Sequence, residues 1–248
     1  MVTGASSGIG AEIARALSRR GWHCVLLARR QERLRSLADE VGGEFEVCDV
    51  ADRGMVDAVA ARVLERHPRI HLLVNNAGVP GRATFIDGEP AAIEEVMRVN
   101  YLGGVWCLRA FLAGLEAAAP SDVVNIVSVA GDVAFPPSGP YSASKHAQLA
   151  FSRATAAQLR ARRIRVHTIK PGFVETEGFP QRDVLASPLA RTVIDAEAVA
   201  RHVLRVLERD RAESFVPAWY RVFAIAQALA PGLIGRLAAR SRYRRAGK

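Results

Sequence analysis

Tyr141 and Lys145 stand four apart in the run Tyr141-Ser142-Ala143-Ser144-Lys145, and Ser128 lies thirteen residues upstream. Residues at i and i+4 share one helix face, so a helical run would lay the Lys145 ammonium beside the tyrosine ring. A free phenol titrates near pH ~10, too high for efficient general acid-base work at neutrality. A nearby cation favours the phenolate, and lowering that pKa by about three units needs roughly 4 kcal/mol of differential stabilisation. Together the three side chains can make a proton donor that works near neutral pH.

Composition adds weight to the pair. Lysine and arginine together number 34, yet only Lys145, Lys170 and Lys248 are lysines. The planar fork of arginine does not replace a compact ammonium where geometry is demanding, so a lysine kept at 145 is informative. A tyrosine and a lysine four apart also occur on many surface helices. The pair therefore takes its meaning from the elements that position it.

Short apolar runs at residues 23–28, 44–47, 72–75, 123–128, 165–170 and 214–216 read as strands. Between them, residues 11–20, 30–41, 55–66, 93–115 and 143–161 repeat apolar side chains at three and four, the helical period. Strict alternation of strand and helix predicts an α/β fold, a doubly wound parallel sheet covered on both faces, with ligands at the carboxyl ends of the strands. With 248 residues, half of them hydrophobic, the chain can bury one full core. Residues 1–216 are expected to form this single Rossmann-like domain, and 217–248 a helical extension of it.

Thr3-Gly4-Ala5-Ser6-Ser7-Gly8-Ile9-Gly10 opens the chain and runs into a helical pattern. Glycines permit a tight turn and close approach of backbone to a pyrophosphate, and a helix N-terminus offers free N–H groups and a favourable dipole. Together with Asn75-Asn76-Ala77-Gly78, Asn100, Ser128, Tyr141, Lys145 and Pro171-Gly172 followed by Thr176, this loop resembles the motif set of the classical short-chain dehydrogenase/reductase family, in family order. The only asparagines, Asn75, Asn76, Asn100 and Asn125, all fall in or beside these motifs.

The resemblance implies an oxidoreductase that moves a hydride between a nicotinamide cofactor and a carbonyl or secondary alcohol. Tyr141 would be the general acid and base, and Lys145 would lower its pKa and hold the nicotinamide ribose. Ser128 would hydrogen-bond the substrate oxygen, and Asn100 would help hold a proton-returning water chain. Cofactor contacts are expected from Gly4, Ser6, Ser7, Gly8, Ile9, Gly10, Asn76, Ala77, Gly78, Pro171, Gly172, Val174 and Thr176. Asp49 and Val50 would face the adenine. Where NAD-preferring relatives carry an acid after the second strand, Ala28-Arg29-Arg30 offers cations suited to a 2′-phosphate. NADP(H) is therefore expected over NAD(H), resting on Arg29 with help from Arg30, Ser6 or Ser7.

Residues 175–194 are expected to form a mobile lid containing Phe179, Pro180, Leu185, Pro188 and Leu189. Phe135, Pro136, Pro137, Phe173 and Phe179 either line an apolar pocket or pack in the core. They favour a small hydrophobic carbonyl or alcohol substrate. Only Met1 and Val2 precede the glycine loop, so the first strand is expected to be truncated, and a chain extended upstream to be more stable.

The net charge of +9 suggests a polyanion partner, but six of those charges lie in Arg236, Arg240, Arg242, Arg244, Arg245 and Lys248. With no aromatic platform or zinc-finger spacing, no nucleic-acid partner is expected. Cys24, Cys48 and Cys107 are widely spaced in apolar runs, which argues against a disulfide framework or a metal site. A cytoplasmic homodimer or homotetramer is expected. Residues 219–230 are apolar nearly all round and 233–240 set apolar against basic positions. This extension could lie on an anionic membrane surface, cover the substrate pocket or contact a second subunit. A non-catalytic NADP-binding regulator or a membrane-surface adaptor on the same fold is the alternative to an enzyme.

Overall fold

The computed structural model describes residues 1–81, 84–185 and 188–240. In chain order its elements are β1 (Val2–Thr3), α1 (Gly8–Ser18), β2 (Val25–Ala28), α2 (Gln31–Val41), β3 (Glu44–Val47), α3 (Arg53–Arg66) and β4 (Leu72–Asn75). There follow α4 (Pro90–Met97), α5 (Gly103–Ala117), β5 (Ser121–Ile126), α6 (Gly139–Leu159), β6 (Ile164–Pro171) and α7 (Arg182–Leu185). The chain continues through α8 (Ala196–Arg209), β7 (Glu213–Val216), α9 (Arg221–Leu229) and α10 (Pro231–Arg240). The tail residues Arg242, Arg244, Arg245 and Lys248 lie outside the described residues, as do the side chains of Pro137, Pro188, Leu189, Leu237 and Arg240.

The seven strands form one parallel sheet in the order β3-β2-β1-β4-β5-β6-β7. Side-chain alternation explains how short apolar strands hold two helical layers. Leu26 and Ala28 of β2, Leu72 and Val74 of β4, and Val124 and Ile126 of β5 face one layer, which contains α1, α2 and α8. Val25, Leu27, Leu73 and Val123 face the other, with α3 and α5. Each fully buried branched side chain contributes about 1.5–3 kcal/mol. Two of the helices are capped by side chains: Asp52 accepts from Met55 N at 3.0 Å at the start of α3, and Asp195 accepts from Ala198 N at 2.6 Å at the start of α8.

Order reverses between β1 and β4, and this switch point brings the glycine loop beside the loop after β4. β1 itself is two residues long. It is held between its neighbours by Val2↔Leu26 and Val2↔Val74 pairing, and the Met1 amine donates to Leu72 O at 2.9 Å. A groove of about 500 Å³ opens at this amino edge of the sheet.

Past β7, Pro231 separates α9 from α10 where the sequence carries Pro231-Gly232. None of α9 is buried. Among the described residues no helix is long and apolar enough to cross a membrane.

Candidate active site

The glycine loop is welded to the loop after β4. Thr3 Oγ1 accepts from Asn76 N at 2.9 Å and Ala77 N at 3.1 Å, and Asn76 Nδ2 donates to Thr3 O at 3.0 Å. Gly4 has a left-handed φ of +64°, and a Cβ there would come within 2.8 Å of Ala77 Cα. At Gly10 a Cβ would sit 2.5 Å from both Asn76 Nδ2 and Gly4 O. These glycines therefore serve close packing within the protein as much as room for a ligand. Ile9 packs with Val174 and Ile194, and Thr176 lies over Gly8, so the strand-like 171–176 segment crosses the loop.

The serines of the loop face cations. Arg30 donates to Ser6 Oγ at 3.1 Å and to Ser7 Oγ at 2.5 Å, and reaches Glu177 at 3.4 Å, which also pairs with Arg33. Arg29, on which the 2′-phosphate preference was expected to rest, turns instead toward Asp49 Oδ2 at 3.7 Å and is largely exposed. The arginine gathered to the loop is thus the second of the two, Arg30, which stands extended at the cap position before α2. Beside it a groove of about 350 Å³ is lined by Ser6, Ser7, Gly8, Glu32 and Arg33. Hydroxyls, a guanidinium and the free N–H groups at the start of α1 are the donor set that fits phosphate groups. Asp49 Oδ1 accepts from Ala51 N at 3.0 Å, while Val50 is buried against Gly103.

Tyr141 and Lys145 lie one turn apart on α6, with the Lys145 Nζ 5.8 Å from the phenol ring centre. Ser128 follows β5 and caps the start of the single turn Val129–Gly131, where its hydroxyl acts on the phenol. Its Oγ also accepts from Ala130 N at 3.1 Å and meets Pro171 O at 3.5 Å. Lys145 is 4% exposed and donates to Ile126 O at 3.1 Å and to Gln148 Oε1 at 2.8 Å.

These environments differ from the expected pKa balance. Burial pushes the Tyr141 phenol up to about 12, with the Ser128 hydrogen bond pulling the other way. Burial likewise pushes the Lys145 ammonium down to about 7. Lys145 spends its hydrogen bonds on Ile126 and Gln148, so the expected lowering of the phenol is not what the protein alone produces.

Asn100 sits in a single turn of π-helix, Arg98–Leu102, closed by Gly103 N–H to the Arg98 carbonyl. Such wide turns are frequent at functional sites because they re-aim one side chain. Here Asn100 Oδ1 accepts from Val79 N at 2.8 Å, and its Nδ2 donates to Val79 O at 3.1 Å and Ser144 Oγ at 3.0 Å. Ser144 Oγ in turn donates to Tyr141 O at 2.7 Å. Asn100 therefore ties the Gly78 turn to the backbone of the tyrosine.

Of the apolar candidates, Phe179 lies against Tyr141 with ring centres 5.8 Å apart. Phe135 and Phe173 instead join a small cluster with Val129, Val133 and Tyr220. Tyr220 was missed by sequence reasoning. Its ring fills the space above Gly172, where a Cβ would come within 2.2 Å, and its hydroxyl meets Phe173 N at 3.4 Å. Gln148 was missed too, since nothing in its spacing from Lys145 beyond the i,i+3 offset marks it.

A family profile described as "short chain dehydrogenase" matches residues 1–183. "Dehydrogenase/reductase SDR family member 7B" of Mus musculus is 30% identical over 267 residues, covering 100% of this chain and 82% of that protein. With the Danio rerio form the alignment is 33% identical and covers 71% of this chain but only 60% of that protein. A short chain dehydrogenase from Burkholderia cenocepacia J2315 in complex with NADP superposes with a TM-score of 0.82 at 28% identity, covering 96% of this chain and 95% of that one. An alcohol dehydrogenase from the archaeon Thermococcus sibiricus, complexed with 5-hydroxy-NADP, gives 0.77 at 28% identity over 86% of this chain and 93% of that one.

Proposed function

The chain belongs to the short-chain dehydrogenase family, an NAD(P)-dependent oxidoreductase family, and from that premise we propose that it is an NADP(H)-dependent reductase or dehydrogenase of a hydrophobic carbonyl or secondary alcohol. The observation that carries this reading is the cluster of Tyr141, Ser128 and Lys145 on the carboxyl side of the sheet, beside the Phe179 ring. When bound, the nicotinamide supplies the hydride. Gly8, Gly10, Ser6, Ser7 and Arg30 would hold its phosphates, and Gly78, Pro171, Gly172, Val174 and Thr176 would border it.

In the reducing direction, Tyr141 Oη gives its proton to the substrate carbonyl oxygen. Ser128 Oγ hydrogen-bonds that oxygen as charge develops on it. Lys145 lies close enough for its charge to favour the phenolate left behind, and its low pKa near neutrality lets it pass a proton back. Asn100 fixes the distance between the Gly78 turn and Tyr141 through Val79 and Ser144. An apolar floor at Phe179 favours a hydrophobic substrate over a sugar.

An NADPH-oxidation screen over ketones and aldehydes tests the reading, with Tyr141→Phe as control. The expected result is turnover that falls by about 10²–10⁴-fold in the variant. Turnover unchanged by Tyr141→Phe would overturn the assignment.

A second reading concerns α9 and α10. Val222, Phe223, Ile225, Leu229 and Leu233 are exposed there, and Arg236 with the basic residues after it follows directly. This favours contact with an anionic membrane surface. Flotation with acidic vesicles should be lost on removing residues 218–248; equal flotation without them, or a face covered by a second subunit in light scattering, would reject it.

A further inference from the structure

We infer that His23, Glu44 and His67 form a binding site for one divalent transition-metal ion, with zinc the best match, at the sheet edge opposite the Tyr141 cluster. His23 precedes β2, Glu44 opens β3 and His67 caps the end of α3, so all three stand where strands begin. Both imidazoles point Nε2 at one carboxylate oxygen: His23 lies 3.1 Å and His67 2.8 Å from Glu44 Oε1. One ligand atom from each residue falls within 4.8 Å of the others. Tetrahedral zinc with bonds of about 2.1 Å places its ligands roughly 3.4 Å apart, so small side-chain adjustments suffice.

The backbone beneath the three is fixed. Glu44 N donates to Cys24 O at 2.8 Å beside the Val25↔Glu44 pairing, and His67 N donates to Val63 O at 2.7 Å. The ring centres of His23 and His67 are 5.3 Å apart, leaving the nitrogens turned inward. The groove of about 500 Å³ that opens here is lined by His23 and His67, leaving room for a water at a fourth position. Two neutral imidazoles and a carboxylate suit zinc, nickel or copper and not magnesium.

Charge at the site is mixed. Arg66 Nε lies 3.2 Å from Glu44 Oε2, and its Nη2 reaches Glu46 at 2.8 Å. Arg20 and Arg69 line the adjoining groove. Arg66 competes with a cation for Glu44, which yields a signed expectation: removing it should tighten metal binding. In the same geometry without a metal, the imidazoles donate to the carboxylate, and that arrangement would gain nothing from zinc. An ion here would clasp β2, β3 and α3 and raise stability by mass action.

The test is zinc titration of the tag-free full chain by calorimetry and thermal shift, with no reference to catalysis. Expected is a one-to-one isotherm, a raised Tm with zinc but not magnesium, and affinity at least about tenfold weaker in His23→Gln and in His67→Gln. Arg66→Gln should bind more tightly. Cobalt substitution adds a spectroscopic readout: a four-coordinate visible absorption band in the parent, absent in a Glu44→Gln variant whose far-UV circular dichroism and urea midpoint match the parent's. Zinc affinity unchanged in both histidine variants, or no binding below about millimolar Kd, would overturn the site.

Discussion

Gln148 offers the sharpest probe of the proton-transfer machinery because it touches Lys145 and nothing in the proposed chemistry requires it otherwise. Its Oε1 accepts from Lys145 Nζ at 2.8 Å, the shorter of the two hydrogen bonds that hold an ammonium pushed down to about 7 by burial. A hydrogen bond to a charged group is worth about 1.5–3 kcal/mol. At about 1.4 kcal/mol per pKa unit, Gln148→Leu should lower the Lys145 pKa by a further one to two units. Gln148→Glu, with a carboxylate in the same place, should raise it.

Two assays read that shift. The pH profile of kcat/KM for NADPH-dependent reduction reports groups of the free enzyme, and its fall with rising pH should start one to two units lower in Gln148→Leu, roughly. It should start higher in Gln148→Glu. Stability gives an independent sign. A lysine whose folded pKa lies below its unfolded value binds fewer protons when folded, so the native state carries its full penalty below about 7 and gains stability as pH rises toward 10.5. In Gln148→Leu that rise should begin at lower pH, read from urea midpoints below pH ~10, under the range where the raised Tyr141 acts with opposite sign. Profiles of both variants that superimpose on the parent's would refute control of Lys145 by Gln148.

Arg30→Ala should reduce the preference for NADPH over NADH by about 10–100-fold, and by more than Arg29→Ala, since Arg30 is the arginine joined to Ser6 and Ser7. Ratios of kcat/KM for the two cofactors check this, and a larger effect at Arg29 would reject it. At the acid end, the Arg153 hydrogen bond, with Lys170 assisting, holds Glu213 down to about 2 from an ordinary 4.5. A depressed carboxylate lends stability that is present above 4.5 and lost as pH falls toward 2, so Glu213→Gln should flatten the urea midpoint across that window.

Much of the fold was legible because its strands are short, apolar and flanked by helical periods. Residues 44–47 and 72–75 matched β3 and β4 to the residue, whereas β5 begins at Ser121 because that polar side chain is buried in a hydrogen bond to Leu115 O at 2.8 Å. Spacing brought Tyr141, Lys145 and Ser128 within reach of one another, and the structure adds that Asn100 is presented by a π-turn no periodicity reveals. Which of two adjacent arginines meets the loop serines is set by the fold, not by spacing: Arg30 reaches Ser6 and Ser7 while Arg29 lies toward Asp49. Equally hidden was the pKa balance, since a neighbouring ammonium was visible in the spacing but the burial of both groups was not. Tyr220 escaped for a related reason: its partner Gly172 lies far away in sequence, and only the fold brings the ring onto it.

The scarcity of lysine has a practical side. Lys145 and Lys170 are 4% and 1% exposed, the second enclosed by Asp132, Glu213 and the Phe215 ring. Amine-directed reagents therefore meet an arginine-coated exterior, with Lys248 alone in the tail. A small aldehyde admitted to the cleft and trapped by reduction would mark Lys145, whose low pKa leaves much of it as nucleophilic free amine near neutrality. Peptide mapping of the labelled chain would separate modification at Lys145 from modification at Lys248 or the Met1 amine.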